Sequence, residues 1–195
     1  MGKASVDKRI LQTEAALENA LLGLLAEKPL SQITVGELTA AAGINRSTFY
    51  LHYSDVSAFL CSWADRLVKE LAERLQAAER TGAFPWVAQF VLLLNLMKER
   101  QEVFAPLLSP NAGGELSRRL TALLAEPVRQ FAAKTKENAS RAVAHAYGTM
   151  LLHGLVAVAA EWLAEGAQTA PEELSELLGS LSGNETILKK FRELG

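Results

Sequence analysis

Cysteine is almost absent: Cys61 is the only one in 195 residues. That excludes an internal disulfide framework and a zinc site built from cysteines. Thirteen glycines and six prolines beside 49% hydrophobic residues exclude collagen-like and disordered chains. Positive charge shows no surplus. Twenty Lys+Arg face twenty-two Asp+Glu, a net of −2, so no bulk positive field attracts nucleic acid and a histone-like tail is excluded. Catalytic signatures are missing too: there is no H-E-x-x-H pair, glycine-rich phosphate loop or serine elbow. His145 and His153 lie eight apart on one predicted helix, too far to share a metal as i, i+4 ligands do. No enzyme activity, catalytic residue, metal or cofactor is therefore expected, and Cys61 beside Trp63 reads as a structural thiol. No charged-then-apolar leader opens the chain, from which a cytoplasmic location is expected. The most apolar run, residues 147–160, carries His153 and Gly154 and reads as too short for a span, so no membrane partner is expected.

What is present is helical period nearly everywhere, with no convincing alternation of period two, and an all-α fold is expected. Residues 8–26 put Ile10, Leu17, Leu21, Leu24 and Leu25 on one stripe, and Pro29 ends that helix. Thr34 and Glu37 have the spacing of a capping box for a second helix, which Gly43 stops after two turns. Asn45 caps a third helix over 46–53, and Ser54 or Asp55 caps a long fourth reaching about Arg80. Thr81, Gly82 and Ala83 break the composition near the end of that helix. Further helices are predicted over 84–100, with Pro85 in the first turn, over 102–108, and over 115–134, where Pro127 must kink or interrupt the ladder. Residues 109–114 read as the most flexible loop. Asn138 caps a helix to Glu165 closed by Gly166, and Pro171 opens another over 172–181, ahead of a basic ending with Lys189, Lys190 and Arg192.

The informative stretch is residues 33–60, ITVGELTAAAGINRSTFYLHYSDVSAFL. Two short helices joined by a glycine turn, behind a longer first helix, describe a helix-turn-helix. Phe49 and Tyr53, four apart, point inward. Arg46 and Tyr50 fall on one flank, Thr48 and His52 on the other, with Ser47 and Leu51 facing away from the core. That surface carries no carboxylate, as suits contact with phosphates. Residues 1–56 nevertheless hold five Lys+Arg against six acids, a net of −1, so DNA affinity must come from local arrangement with the acids turned away.

The segment ITVGELTAAAGINRSTFYLHYSD resembles the signature of the TetR family of bacterial transcriptional regulators over roughly residues 8–62. The late segments at Glu161 to Gly166 and Pro171 to Leu174 resemble regulators of the dihydroxyacetone-kinase-operon type. The resemblance implies a helix-turn-helix DNA-binding domain over 1–55. It also implies a helical effector-binding and dimerisation domain over 56–195, whose last two long helices make a homodimer. The small residues between Ala142 and Ala160 suit such close helix approach. It further implies that Thr34, Tyr50 and His52 meet phosphates, that Thr48 touches a base or methyl, and that Arg46 and Ser47 set operator sequence. Arginine there suits guanine O6 and N7. Gly36 stands where many members carry a base-reading side chain, and Val56 replaces a common lysine. An effector pocket under the later helices is implied, with Trp86, Phe90, Asn95, Phe104, Tyr147 and Met150 as candidate lining. The expected function is a regulator binding a palindromic double-stranded DNA operator as a homodimer, a repressor released by a small-molecule effector. The alternative is an adaptor of the same fold acting through a protein partner.

Overall fold

The computed structural model describes residues 3–79, 86–135 and 140–175, the side chains of 3–10, 79, 86, 87, 131, 134 and 135 excepted. The expected break at 81–83, Pro85, the Asn138 cap and everything beyond residue 175 lie outside the described residues. All described elements are helical and no strand occurs among them: α1 (Lys3–Glu27), α2 (Val35–Ala42), α3 (Arg46–Tyr50), α4 (Val56–Glu79), α5 (Trp86–Lys98), α6 (Gln101–Leu108), α7 (Glu115–Thr135) and α8 (Arg141–Ala164). Residues 171–175 are helical as well.

Local chemistry sets the helix ends. Thr34 and Glu37 form the reciprocal capping box at the start of α2. At its end Gly43 takes φ 67°. Its amide donates to Ala40 O and that of Ile44 to Thr39 O, the paired bonds of a Schellman stop. Asp55 starts α4 by accepting the Ala58 amide at 2.7 Å. Helix α3 is shorter than the predicted 46–53, because the chain must turn at 51–52 to reach that cap. Ser140 accepts the Val143 amide at the head of α8. The far end of α8 closes on a second pair of this kind, Gly166 to Leu163 O and Ala167 to Trp162 O.

The first core lies where α1, α3 and α4 meet. Leu17, Leu21 and Leu25 of α1 face Phe49, Phe59, Leu60 and Trp63, all of them buried. Phe59 stacks on Trp63 at 6.2 Å and takes Phe49 and Tyr53 edge-on at 6.3 and 5.0 Å. Helix α4 then runs on to bury Leu67, Leu71 and Leu75 in the second core. That core is made with Phe90, Leu94, Met97, Phe104, Leu107 and the Leu116, Leu120, Leu124, Val128 stripe of α7. The two are continuous, one cluster of buried residues with α4 running through both ends of it.

Three expectations change. Pro127 does not interrupt α7, which continues to Thr135; Val128 and Ala132 beyond the proline stay buried and hold the second half on the same face. The 109–114 segment is not a loose loop. Pro110–Ala112 forms a 3-10 turn with Ala112 buried, and Asn111 Nδ2 donates to Leu25 O at 2.8 Å, satisfying a carbonyl that the end of α1 leaves without a helical partner. The apolar run at 147–160 sits in a 24-residue helix with an 18-residue window of mean hydropathy 1.4, long and apolar enough to cross a membrane by length and composition, yet only 28% of that window is buried.

The aromatic cluster should be the costliest place to remove atoms. Phe59→Ala is expected to lower unfolding free energy by about 3–5 kcal/mol, read as a lower urea midpoint at unchanged slope. A loss below about 1 kcal/mol would mean the cluster repacks.

Candidate nucleic-acid interface

Helix α3 is presented by its own first turn and by what it buries. Asn45 Oδ1 accepts the Ser47 amide at 3.0 Å and the Ser47 hydroxyl at 3.1 Å, fixing the start of the helix. Phe49 is buried at its centre, which turns Arg46, Ser47 and Tyr50 to solvent. Tyr50 is 57% exposed, its ring edge-on to Phe49 at 5.8 Å. Thr48 is half-buried and lines, with His52, a cavity of about 380 Å³ against Thr13 and Glu14 of α1. Thr34 is exposed, but its hydroxyl already donates to Glu37 Oε2 at 2.8 Å inside the capping box. Arg46, Ser47 and Tyr50 are thus exposed on α3, Thr48 and His52 border the cavity beside α1, and Thr34 stands at the head of α2.

Leu51 was not among the candidates, yet it is 79% exposed at the end of α3. The signal for it was its position facing away from the core, undervalued because it is apolar. Val56, where the resemblance has lysine, is buried in the first core and offers no phosphate contact.

Four of the acids of this region are engaged. Glu14 accepts the Tyr53 hydroxyl at 3.0 Å. Arg66 on α4 lies 3.6 Å from Glu14 and 2.8 Å from Glu18. Burial and the Glu14 bond raise the Tyr53 pKa. The Ala58 amide lowers that of Asp55. Glu37 takes the Lys28 ammonium at 2.5 Å. With that bond first, and the Thr34 amide and hydroxyl after it, its pKa falls from 4.5 to about 2.

Of four cavities among the described residues, one touches Phe104 and none touches Phe90, Asn95, Tyr147 or Met150. Phe90 and Phe104 are packed in the second core. Asn95 Nδ2 donates to Val91 O at 3.1 Å. Tyr147 is half-buried, its pKa raised by that burial, while Met150 is 63% exposed on the outward side of α8. The Trp86 side chain lies outside the described ones. The cavity touching Phe104 holds only about 10 Å³. A larger, open cleft of about 680 Å³ lies between α6, α7 and α8, lined by Ala105, Leu108, Val156, Ala157 and Ala160, with Arg118, His153 and Glu161 among its polar groups. Arg118 pairs with Glu115, which also takes Arg119 and the Cys61 thiol at 3.1 Å. Arg119 Nε reaches Asp65 of α4 at 2.6 Å and lowers its pKa. A polar chain thus leads from the cleft to α4. No cluster of His, Cys, Asp or Glu suited to a metal occurs among the described residues.

The family profile described as "Transcriptional regulator C-terminal region" matches residues 85–184. The HTH-type transcriptional regulator EthR of Mycobacterium tuberculosis is 38% identical over 81 residues, 42% of this chain and 36% of that protein. The HTH-type transcriptional regulator YxbF of Bacillus subtilis is 31% identical over 105 residues, 53% of this chain and 25% of its own. The chain thus spans about a quarter to a third of these relatives' length. Among solved structures, the fatty acid degradation regulator FadR from Bacillus halodurans superposes with a TM-score of 0.62 at 15% identity, over 87% of this chain and 93% of that one. The dihydroxyacetone kinase operon activator DhaS gives 0.53 at 16%, over 89% and 95%. At such identities the likeness is one of fold.

The Glu37 carboxylate stabilises the fold fully above its unfolded pKa near 4.5, and that stability is lost as pH falls toward about 2. Glu37→Gln should therefore melt below the parent protein at neutral pH, with the gap closing between those two values. Because the group is exposed, added salt should narrow the gap at neutral pH. A gap that persists undiminished to the acid end would assign the loss to something other than charge.

Proposed function

The chain belongs to the TetR family of transcriptional regulators, and from that premise we propose that it binds a palindromic DNA operator as a homodimer, as a cytoplasmic repressor released by a small-molecule effector. The observation that carries the reading is the outer side of α3, where a guanidinium, hydroxyls, an imidazole and an exposed leucine stand together without a carboxylate. In this reading Tyr50, His52 and Thr34 position the protein on phosphates. Arg46 reads a guanine, Ser47 and Thr48 read neighbouring bases, and Leu51 meets a thymine methyl.

A second copy of the chain covers the outward side of α8. Val143 and Met150 are exposed large apolar residues there, beside Ala146, Gly154 and Ala157, whose small side chains permit close helix approach. In the dimer the two α3 helices reach successive major grooves, about 34–36 Å apart. The effector enters the cleft between α6, α7 and α8, a volume in the range of small-molecule sites. A ligand that draws Arg118 from Glu115 changes the Arg119–Asp65 contact on α4, and α4 carries α3. Its leverage is its differential affinity for the two states, about 1–3 kcal/mol.

Affinity for the protein's own promoter is expected to fall steeply and log-linearly with salt. A dimer that binds no DNA at low salt would instead favour the adaptor reading. Arg46→Ala should cost about 1–3 kcal/mol at one base pair; equal weakening on every sequence would make Arg46 a phosphate contact. Met150→Glu should leave the fold's melting intact, since Met150 is already exposed in the single chain, while native mass measurement finds monomers. Unchanged dimer mass would place the interface elsewhere.

A further inference from the structure

Gly36 is the second residue of α2, at the position where the family resemblance expects a base-reading side chain. Its φ is not left-handed, so the backbone there does not require glycine. Glycine is also a poor helix former, and its presence calls for a reason other than local stability. The space beside it supplies one. A Cβ built on Gly36 would stand 2.8 Å from Arg46 Cζ and 3.2 Å from Nε, and closer still to Nη2. The guanidinium occupies the volume of the side chain that residue 36 lacks.

The missing Cβ gives it room there, and no bond fixes it. Among the described residues Arg46 forms no hydrogen bond or ion pair. Glu37, the acid of that turn, is engaged by Lys28 and Thr34. The first turn of a helix carries positive dipole, which does not attract a cation. An arginine lying there without a partner keeps all its donors available for a base edge beside α2.

We infer that Gly36 is a specificity-determining position of this reader through its missing Cβ: it seats Arg46 across α2, so that one arginine from α3 reads the base pair a side chain at 36 would otherwise read. This rests on the assignment of α2 and α3 to DNA reading. Gly36 is a positioning residue, and its effect should pass wholly through Arg46.

The test is selection of binding sites from randomised DNA by the parent protein, Gly36→Ala, Arg46→Ala and the double variant, each as the full chain. Gly36→Ala should change preference on the order of tenfold at one base pair per half-site and leave other positions unaltered. In the Arg46→Ala background the same substitution should change nothing. Alanine favours the helix, so the melting temperature should hold or rise, separating altered reading from misfolding. Identical preferences of parent and Gly36→Ala, or a change that persists without Arg46, would overturn the inference. Failure of the parent to enrich any DNA would overturn the operator reading instead. A DNA-free arm decides the seat by itself: crystals of the parent should show the guanidinium over Gly36, and crystals of Gly36→Ala should show it displaced. A parent guanidinium pointing away from α2 would also overturn it.

Discussion

A helix of five residues does not hold its own shape in water, so α3 depends on the burial of Phe49. That ring sits against Tyr53 and Phe59, Phe59 stacks in turn on Trp63, and Phe59 and Trp63 belong to α4. The Tyr53 hydroxyl and Arg66 tie the same corner to Glu14 and Glu18 of α1. The recognition surface is thus an attachment to α4 rather than an independent unit. Because α4 also contributes Leu67, Leu71 and Leu75 to the second core, a change in its tilt there reaches α3 without any contact in between.

The same corner bears on how a segment of net charge −1 would face a polyanion in the proposed function. Glu14 and Glu18 are held by Arg66, Glu37 by Lys28, and Asp55 by the first amides of α4. These four carboxylates each have a structural partner, and α3 itself carries no acid. Under the proposed operator reading, attraction to DNA comes from fit at short range rather than from a field acting at a distance.

Much of this was legible in the sequence because it is local. The Thr34–Glu37 box, the Gly43 stop, and the Asn45 and Asp55 caps each involve groups within five residues, and helical projection alone turned Phe49 inward and Leu51 outward. The rest joins residues far apart in the chain. The Asn111 bond to Leu25, the Asp65–Arg119 pair and the Arg46 seat on Gly36 exist only once helices pack. Phe90 and Phe104 were candidates for a pocket because they are aromatic on apolar helices, but such residues fill the core when neighbours can close around them. Met150 lies on the side of α8 that no described element covers, and periodicity alone does not tell that side from the core in a helix apolar all round. The cleft is not legible in the sequence because alanines, which give it room, carry no chemical signal.

The bond from Asn111 to the Leu25 carbonyl bears on where this protein can be cut and rejoined. A boundary drawn from α4 alone suggests that the reader could be transplanted onto another sensor by splicing within that helix. The 3-10 turn between α6 and α7 makes a second junction, since it satisfies the final turn of α1 from within the bundle. A chimera that keeps α1 to α4 and exchanges the remainder strands a carbonyl unless the incoming scaffold offers a donor at the same spot. Interchangeable parts in such a design therefore need matching at two seams, one continuous in the chain and one not.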